Sequence, residues 1–281
     1  KIATKASSTT SAVVLNALAG VAIGEGSIPS RRQNRIKGDR HMKFLKLALV
    51  AAAASVAMGG AAMAQDESGL KLSYNVGVAS DYIFRGISNT NTKGQVFGGV
   101  DATYGIGYAG VWTSNVDFGT PNPDQEIDVY AGVKPTVGAF NLDLGVIYYG
   151  YTKDKNGAPG SYSYTEVKAA ASTAVGPATV GAAVYYSPEF PGDGGEALYY
   201  ELNGSAPIGE KLTLSGAVGR QEVDASTYFG GATDSYVTWN AGVTAAITDH
   251  VSADIRYSDT NKSNYGPIYH AAVTASLKVA F

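Results

Sequence analysis

The sequence predicts an all-β fold, a transmembrane antiparallel up-and-down β-barrel of twelve strands with short periplasmic turns and longer external loops. Three observations predict it. About a dozen segments between Leu70 and Phe281 alternate apolar with small or polar residues. A strand sends successive side chains to opposite faces, so each segment has one oily face and one wet one. An export signal precedes them, and no long apolar helix follows it, which leaves strands as the means of crossing a bilayer.

Strands are expected at 70–87, 95–105, 108–117, 126–135, 139–151, 162–173, 178–187, 197–206, 211–221, 235–246, 250–259 and 268–281. The first carries Leu70, Leu72, Tyr74, Val76, Val78, Tyr82 and Phe84 on one face and Lys71, Ser73, Asn75, Asp81 and Arg85 on the other. The last is the most regular: Phe281, Val279, Leu277, Ala275, Val273, Ala271 and Tyr269 share one parity, and Lys278, Ser276, Thr274 and His270 the other. Tight connections at 106–107, 174–177 and 207–210 alternate with longer polar ones at 89–93, 119–124, 152–161, 188–196, 222–234 and 260–267. Short periplasmic turns and long external loops are the habit of outer-membrane barrels, and an even strand number leaves both termini on the periplasmic side. In hydrocarbon every backbone group must be paired, so a spanning sheet has to close on itself. A soluble sandwich is the structural rival, because alternation alone does not say which face is inside.

Ahead of the strands, residues 1–41 mix Ser, Thr, Ala and Arg without a credible core and read as an upstream stretch before a start at Met42. Residues 42–64 read as a signal peptide: Met42, Lys43 and Lys46 make a short basic start, 47–58 is apolar, and Ala62-Met63-Ala64 fits the small-x-small cleavage rule. The alternative is an uncleaved anchor, since 44–64 nearly spans a bilayer, but Asp66-Glu67 just beyond favours cleavage. That leaves 65–281 as the barrel. Residues 1–64 hold nine Lys or Arg and two Asp or Glu, so the remainder has 12 basic and 22 acidic residues, a net charge near −10. Such a balance argues against a nucleic-acid partner. Cysteine is absent, which excludes disulfides, thiolate metal sites and a cysteine nucleophile. The 35 glycines and 19 tyrosines suit a sheet with aromatic belts, and Tyr74, Trp112, Tyr148, Trp239 and Tyr269 are expected to face outward at the membrane interfaces.

A twelve-strand barrel has a backbone radius of roughly 12 Å. Parity turns Asp81, Asp101, Asp117, Glu126, Asp128, Asp143, Glu166, Glu201 and Asp254 inward, with Lys71, Arg85, Lys134, Lys168, Arg256 and Lys278. Asp81, Arg85, Asp101, Asp117, Glu126, Asp128, Glu166, Lys168, Glu201, Arg256 and His270 are therefore the candidate pore-lining residues. One reading is a water-filled lumen whose excess of acids gives a mild preference for cations or zwitterions. The other is a mutually neutralised charge lattice that props and blocks the barrel. Glycine and alanine on the inner face leave room and favour the pore. Asp81 and Arg85 stand about 13 Å apart along one strand face, too far to pair with each other. With Glu126 and Asp128 they form the expected constriction.

Catalysis finds little support. Beyond the signal lie only His250, in an expected turn, and His270, on the inward parity. A membrane lipase needs a lipid-facing Ser/His pair. No spacing suggests a metal site or any other cofactor.

Several blocks resemble a known family: Ser80-Asp81-Tyr82-Ile83-Phe84-Arg85-Gly86-Ile87-Ser88; Trp112 with Ser114-Asn115-Val116-Asp117-Phe118; Glu126-Ile127-Asp128-Val129-Tyr130-Ala131-Gly132; and Asp143-Leu144-Gly145-Val146-Ile147-Tyr148-Tyr149-Gly150-Tyr151. Together they resemble the proteobacterial Gcw_chp family, also called TorF-type porins, over nearly all of 65–281. The resemblance implies an outer-membrane barrel with a channel role in a Gram-negative cell and brings no catalytic residues. Phe281 with Val279 and Leu277 is also similar to the C-terminal signal read by the barrel-assembly machinery. Outward Arg220, near an external loop, is a candidate contact for lipopolysaccharide. The expected function is an outer-membrane channel for passive diffusion of ions or small polar solutes. The alternative is a non-conducting structural or surface-binding barrel acting through its external loops.

Overall fold

The computed structural model describes residues 69–119, 123–154, 161–226, 228–229 and 233–281. The expected upstream stretch 1–41 and signal peptide 42–64 lie outside them. Among the described residues fifteen strands follow in chain order: β1 (Leu70–Ala79), β2 (Ile83–Phe84), β3 (Ile87–Ser88), β4 (Gln95–Tyr104), β5 (Gly107–Asn115), β6 (Gln125–Val133), β7 (Thr136–Val137), β8 (Phe140–Tyr151), β9 (Tyr164–Val175), β10 (Ala178–Phe190), β11 (Gly195–Ile208), β12 (Leu212–Val223), β13 (Ser235–Ala246), β14 (Val251–Thr260) and β15 (Ala272–Ala280).

Twelve of these form a closed antiparallel barrel. Neighbours run β6-β5-β4-β1-β15-β14-β13-β12-β11-β10-β9-β8, and β8 pairs back onto β6. The first and last strands meet at the seam, where Tyr74 and Phe281 exchange backbone hydrogen bonds in both directions at 2.9 Å. β7 only extends the β6–β8 turn, pairing Thr136 with Asn141. β2 and β3 pair with each other and stand apart from the ring. Closure satisfies every edge of the ring, the condition for a sheet in hydrocarbon.

The ambiguity of alternation is resolved by exposure. On β6, Ile127 and Val129 are 38% and 52% exposed while Glu126 and Asp128 are 1% and 3%. The same holds around the ring: Val76, Val96, Leu202, Ile255 and Val273 cover the outside, and Glu166, Glu201 and Gln221 point in. An apolar exterior around a polar interior is the reverse of a soluble sandwich and suits lipid outside. The ring strands run from 9 to 14 residues, enough to span a bilayer at a tilt. Connections at 105–106, 176–177 and 209–211 at one end are tight, as expected, whereas 80–94 and 261–271 at the other are long. One connection expected to be long, 188–196, is shorter, because β10 and β11 zip past an irregularity between Ser187 and Phe190 and leave only 191–194.

Several expectations are corrected. The first strand ends at Ala79 instead of running to 87; the rest of that segment folds into the lumen. Trp112 faces inward, where it packs edge-on against Tyr82 at 5.5 Å: β5 ends at Asn115, so Asp117, whose inward parity would turn Trp112 outward, lies in the loop beyond the strand. Tyr269 sits in a short 3₁₀ turn (Pro267–Tyr269), not on an outward strand face. Tyr74, Tyr148 and Trp239 do face outward. Tyrosine is nevertheless as much a lumen residue as a belt residue, since Tyr130, Tyr149, Tyr164, Tyr185, Tyr199 and Tyr236 are all buried. The small residues of the inner face therefore do not leave the expected open room. A Cβ on Gly132 or Gly145 would lie 2.5 Å from the Tyr108 hydroxyl, and one on Gly219 2.2 Å from that of Tyr199. These glycines are slots that tyrosine rings from adjacent positions fill.

Candidate functional site

The site is a hairpin that crosses the barrel. β2 and β3 pair Ile83 with Ser88 and Phe84 with Ile87, leaving Arg85-Gly86 as a two-residue turn. Both turn residues have positive φ, 47° at Arg85 and 82° at Gly86, the signature of a type I′ turn. For a non-glycine residue such backbone costs about 1–2 kcal/mol, so Arg85 must be held there by its contacts. At the neck, the hydroxyls of Ser88 and Thr90 both lie 2.7 Å from Asp81 Oδ1, and the Asn89 N–H donates to the Tyr82 carbonyl at 2.7 Å.

The hairpin springs from β1, and six steps round the ring in either direction reach β10. Its tip arrives at that opposite wall. Arg85 Nη1 and Nη2 donate to the two carboxylate oxygens of Glu166 on β9 at 2.7 and 2.8 Å. Nη1 also donates to Gln221 Oε1 on β12 at 3.0 Å. The guanidinium lies 4.9 Å from the ring centre of Tyr185 on β10 and 4.2 Å from that of Tyr199 on β11. The Tyr236 hydroxyl donates to the Arg85 carbonyl at 3.0 Å. Gly86 lies so close to β13 and β14 that a Cβ would meet Thr238 Oγ1 at 2.2 Å and Thr260 Cγ2 at 2.6 Å. Bidentate guanidinium–carboxylate pairing with stacked rings is the strongest polar arrangement available to an arginine.

The bar divides the lumen into two chambers that meet at Phe84 and Arg85. The outer chamber, about 480 Å³, is mainly aromatic, with Phe118, Tyr162, Phe190 and Tyr228 in its wall. The inner one, about 360 Å³, is polar and charged, with Asp128, Glu201, Asp254, Arg256 and Lys278 among its lining. Glu126 accepts from the Tyr82 hydroxyl at 3.2 Å, while its Oε2 and Asp128 Oδ1 are buried without a hydrogen-bond partner among the described residues. Below them Asp143 gathers Lys168 at 2.7 Å and the Tyr108 hydroxyl at 2.7 Å, and Tyr130 donates to Asp101. Across the lumen, Arg256 binds Asp254, Asn240 and Ser215 at 3.0, 2.8 and 2.9 Å. Glu201 accepts from Tyr199 at 3.0 Å and Asn203 at 2.9 Å.

Of the residues singled out by sequence, Asp101, Glu126, Asp128, Glu166, Lys168, Glu201 and Arg256 stand on the inner wall. Asp81 and Arg85 are inside the barrel but on the hairpin and not on a strand of the ring, so their assumed strand spacing does not apply. Asp117 lies in the loop after β5, paired with Lys93 at 2.6 Å at the outer mouth. His270 is exposed after the 3₁₀ turn and off the wall, because β15 begins only at Ala272. Parity missed Gln221 and the inward tyrosines, since neutral side chains carry no charge signal. It also missed the hairpin, although an 18-residue strand beside neighbours of about ten was a cue, as was Arg-Gly at a possible turn.

Comparison with curated proteins finds no match. Among solved structures, the NanC porin superposes with a TM-score of 0.51 at 10% identity, covering 75% of this chain and 98% of that one. The KdgM porin gives 0.48 at 6% identity, over 75% and 97%. At 10% identity the likeness to NanC is one of fold. A family model described as "Bacterial protein of unknown function (Gcw_chp)" matches residues 63–280, and the chain with its cross-lumen hairpin therefore belongs to the Gcw_chp family.

Proposed function

We propose that the protein is a channel of the bacterial outer membrane for passive diffusion of ions and small polar solutes, mildly selective for cations and throttled by the hairpin that carries Arg85. The observation that carries this reading is the pair of polar and aromatic chambers meeting at Phe84 and Arg85 inside a closed, lipid-faced barrel. A structural strut would need no cavities on either side. The cation preference rests on carboxylates that outnumber cations along the lumen. The TorF-type naming suggested by the sequence blocks is part of the same proposal.

Export by a signal peptide cut after Ala64, assembly through the Phe281 signal, and a lipopolysaccharide contact at Arg220 belong to the same proposal. Arg220 faces outward beside Glu222 and Ser235, within reach of headgroup phosphates. The alternative, a non-conducting barrel, is favoured by one feature alone, the depth to which the hairpin fills the waist.

The deciding experiment is conductance of purified barrels in planar bilayers, with reversal potentials in a potassium chloride gradient. The expected result is discrete channels with a cation-side reversal potential that Asp128→Asn with Glu201→Gln moves toward zero. A folded barrel that never conducts, wild type or hairpin variant, overturns the channel reading.

A further inference from the structure

The wall that receives Arg85 is built like a receptor in its own right. Glu166 is fixed by the Tyr149 hydroxyl, which donates to Oε2 at 3.1 Å. Gln221 is turned so that its Nε2 donates to the carbonyls of Leu198 and Glu222 at 3.2 Å each, which leaves Oε1 for the guanidinium. Tyr199 is held through its hydroxyl by Glu201 and seated in the slot above Gly219. All of these side chains are 1–5% exposed. The hydrogen-bond partners that position each lie on β8–β12 and not on the hairpin, which touches this wall through Arg85 and through Phe84, edge-on to Tyr149 at 5.9 Å. The hairpin, in turn, contributes no rung to the ring of strands. Site and occupant are thus separable elements.

We propose that this wall is a binding site for small solutes bearing a guanidinium group, and that Arg85 is a tethered occupant which such solutes displace, opening the lumen. The chemistry is specific. A planar, five-donor cation satisfies both Glu166 oxygens and Gln221 at once while stacking on Tyr185 and Tyr199; a compact ammonium does not. Chambers on both sides of Arg85 give a solute access to its edge. A tethered competitor acts at an effective concentration of order millimolar, so displacement is expected at millimolar solute and not below. The gating consequence rests on the channel reading above; the binding site itself does not.

The test uses ethylguanidinium, with ethylammonium at equal strength as control, on folded barrels in planar bilayers. In the wild type, ethylguanidinium is expected to raise conductance saturably at millimolar concentration, with ethylammonium at least tenfold weaker. In Arg85→Ala the channel opens without ligand, and the sign inverts: ethylguanidinium now enters the vacated site and blocks. Adding Glu166→Gln weakens that block at least tenfold. Arg85→Gln serves the same purpose if the alanine variant does not give a heat-modifiable, folded barrel. A conducting Arg85 variant indifferent to ethylguanidinium overturns the inference and leaves the channel reading intact. If no variant conducts, the channel reading fails and titration calorimetry of the detergent-solubilised variant decides the site. Ethylguanidinium binding that Glu166→Gln abolishes supports it, and no binding overturns it.

Discussion

Gly86→Ala isolates the hairpin from the barrel. The added Cβ would lie 2.2 Å from Thr238 Oγ1 and 2.6 Å from Thr260 Cγ2, on backbone at φ 82°. Left-handed backbone on a non-glycine residue costs about 1–2 kcal/mol, and forcing a methyl into packed neighbours about 1–3 kcal/mol. Together these disfavour the docked tip by about 2–5 kcal/mol, a rise of roughly thirtyfold to a few thousandfold in the undocked-to-docked ratio. The ladder hydrogen bonds of the twelve-strand ring do not include residue 86, so heat-modifiable mobility on gels should match the wild type. Single-channel recording should then show higher conductance and loss of closed dwell time. A folded Gly86→Ala barrel with wild-type conductance and noise would refute the assignment of the hairpin as the throttle.

Three further expectations follow from the geometry. Glu166→Gln removes the bidentate partner of Arg85; stranding one half of a buried pair costs about 3–5 kcal/mol in a dry core, and less here because chambers flank it. Amide exchange of Ile83 to Ser88 should accelerate, and unchanged protection would contradict the contact's importance. Val218→Arg, on the outward face of β12, should cost about 2–4 kcal/mol in urea unfolding from vesicles if it sits near the bilayer midplane. The inward Ser276→Arg should cost much less; equal losses would mean the faces are misassigned. In the external loop after β8, burial works against the charge of Asp154, but donors on Ser163, Tyr162 and Ser161 outweigh it and hold its carboxyl down at about 2. With the folded value depressed, the loop's anchorage is fully present above the unfolded value of about 3.9 and is lost as pH falls through about 2. The Tyr162 and Ser163 amide resonances should report that midpoint, and one near 4 would remove the claim.

The alternation from Leu70 to Phe281 by itself determined the number of strands in the ring and the parity of most of them, though not of β5, because burial against lipid on one side and water on the other imposes a period of two on every residue of the ring. It was equally able to place Glu126, Asp128, Glu166 and Glu201 on the inner wall, since a charge facing lipid costs free energy that one facing water does not. What alternation had no power to decide was which residues between Ala79 and Gln95 continue a strand. Tyr82, Phe84 and Arg85 keep the beat of β1, yet they belong to a hairpin whose stability comes from β9, β10, β11 and β12, more than eighty residues away. Only the closed ring brings β10 opposite β1. Only then do Glu166, Gln221, Tyr185 and Tyr199 converge on one guanidinium, and the inward glycines turn from open space into slots for tyrosine. Local periodicity reports the solvent on each side of a strand; what fills the middle depends on which walls the closure sets face to face.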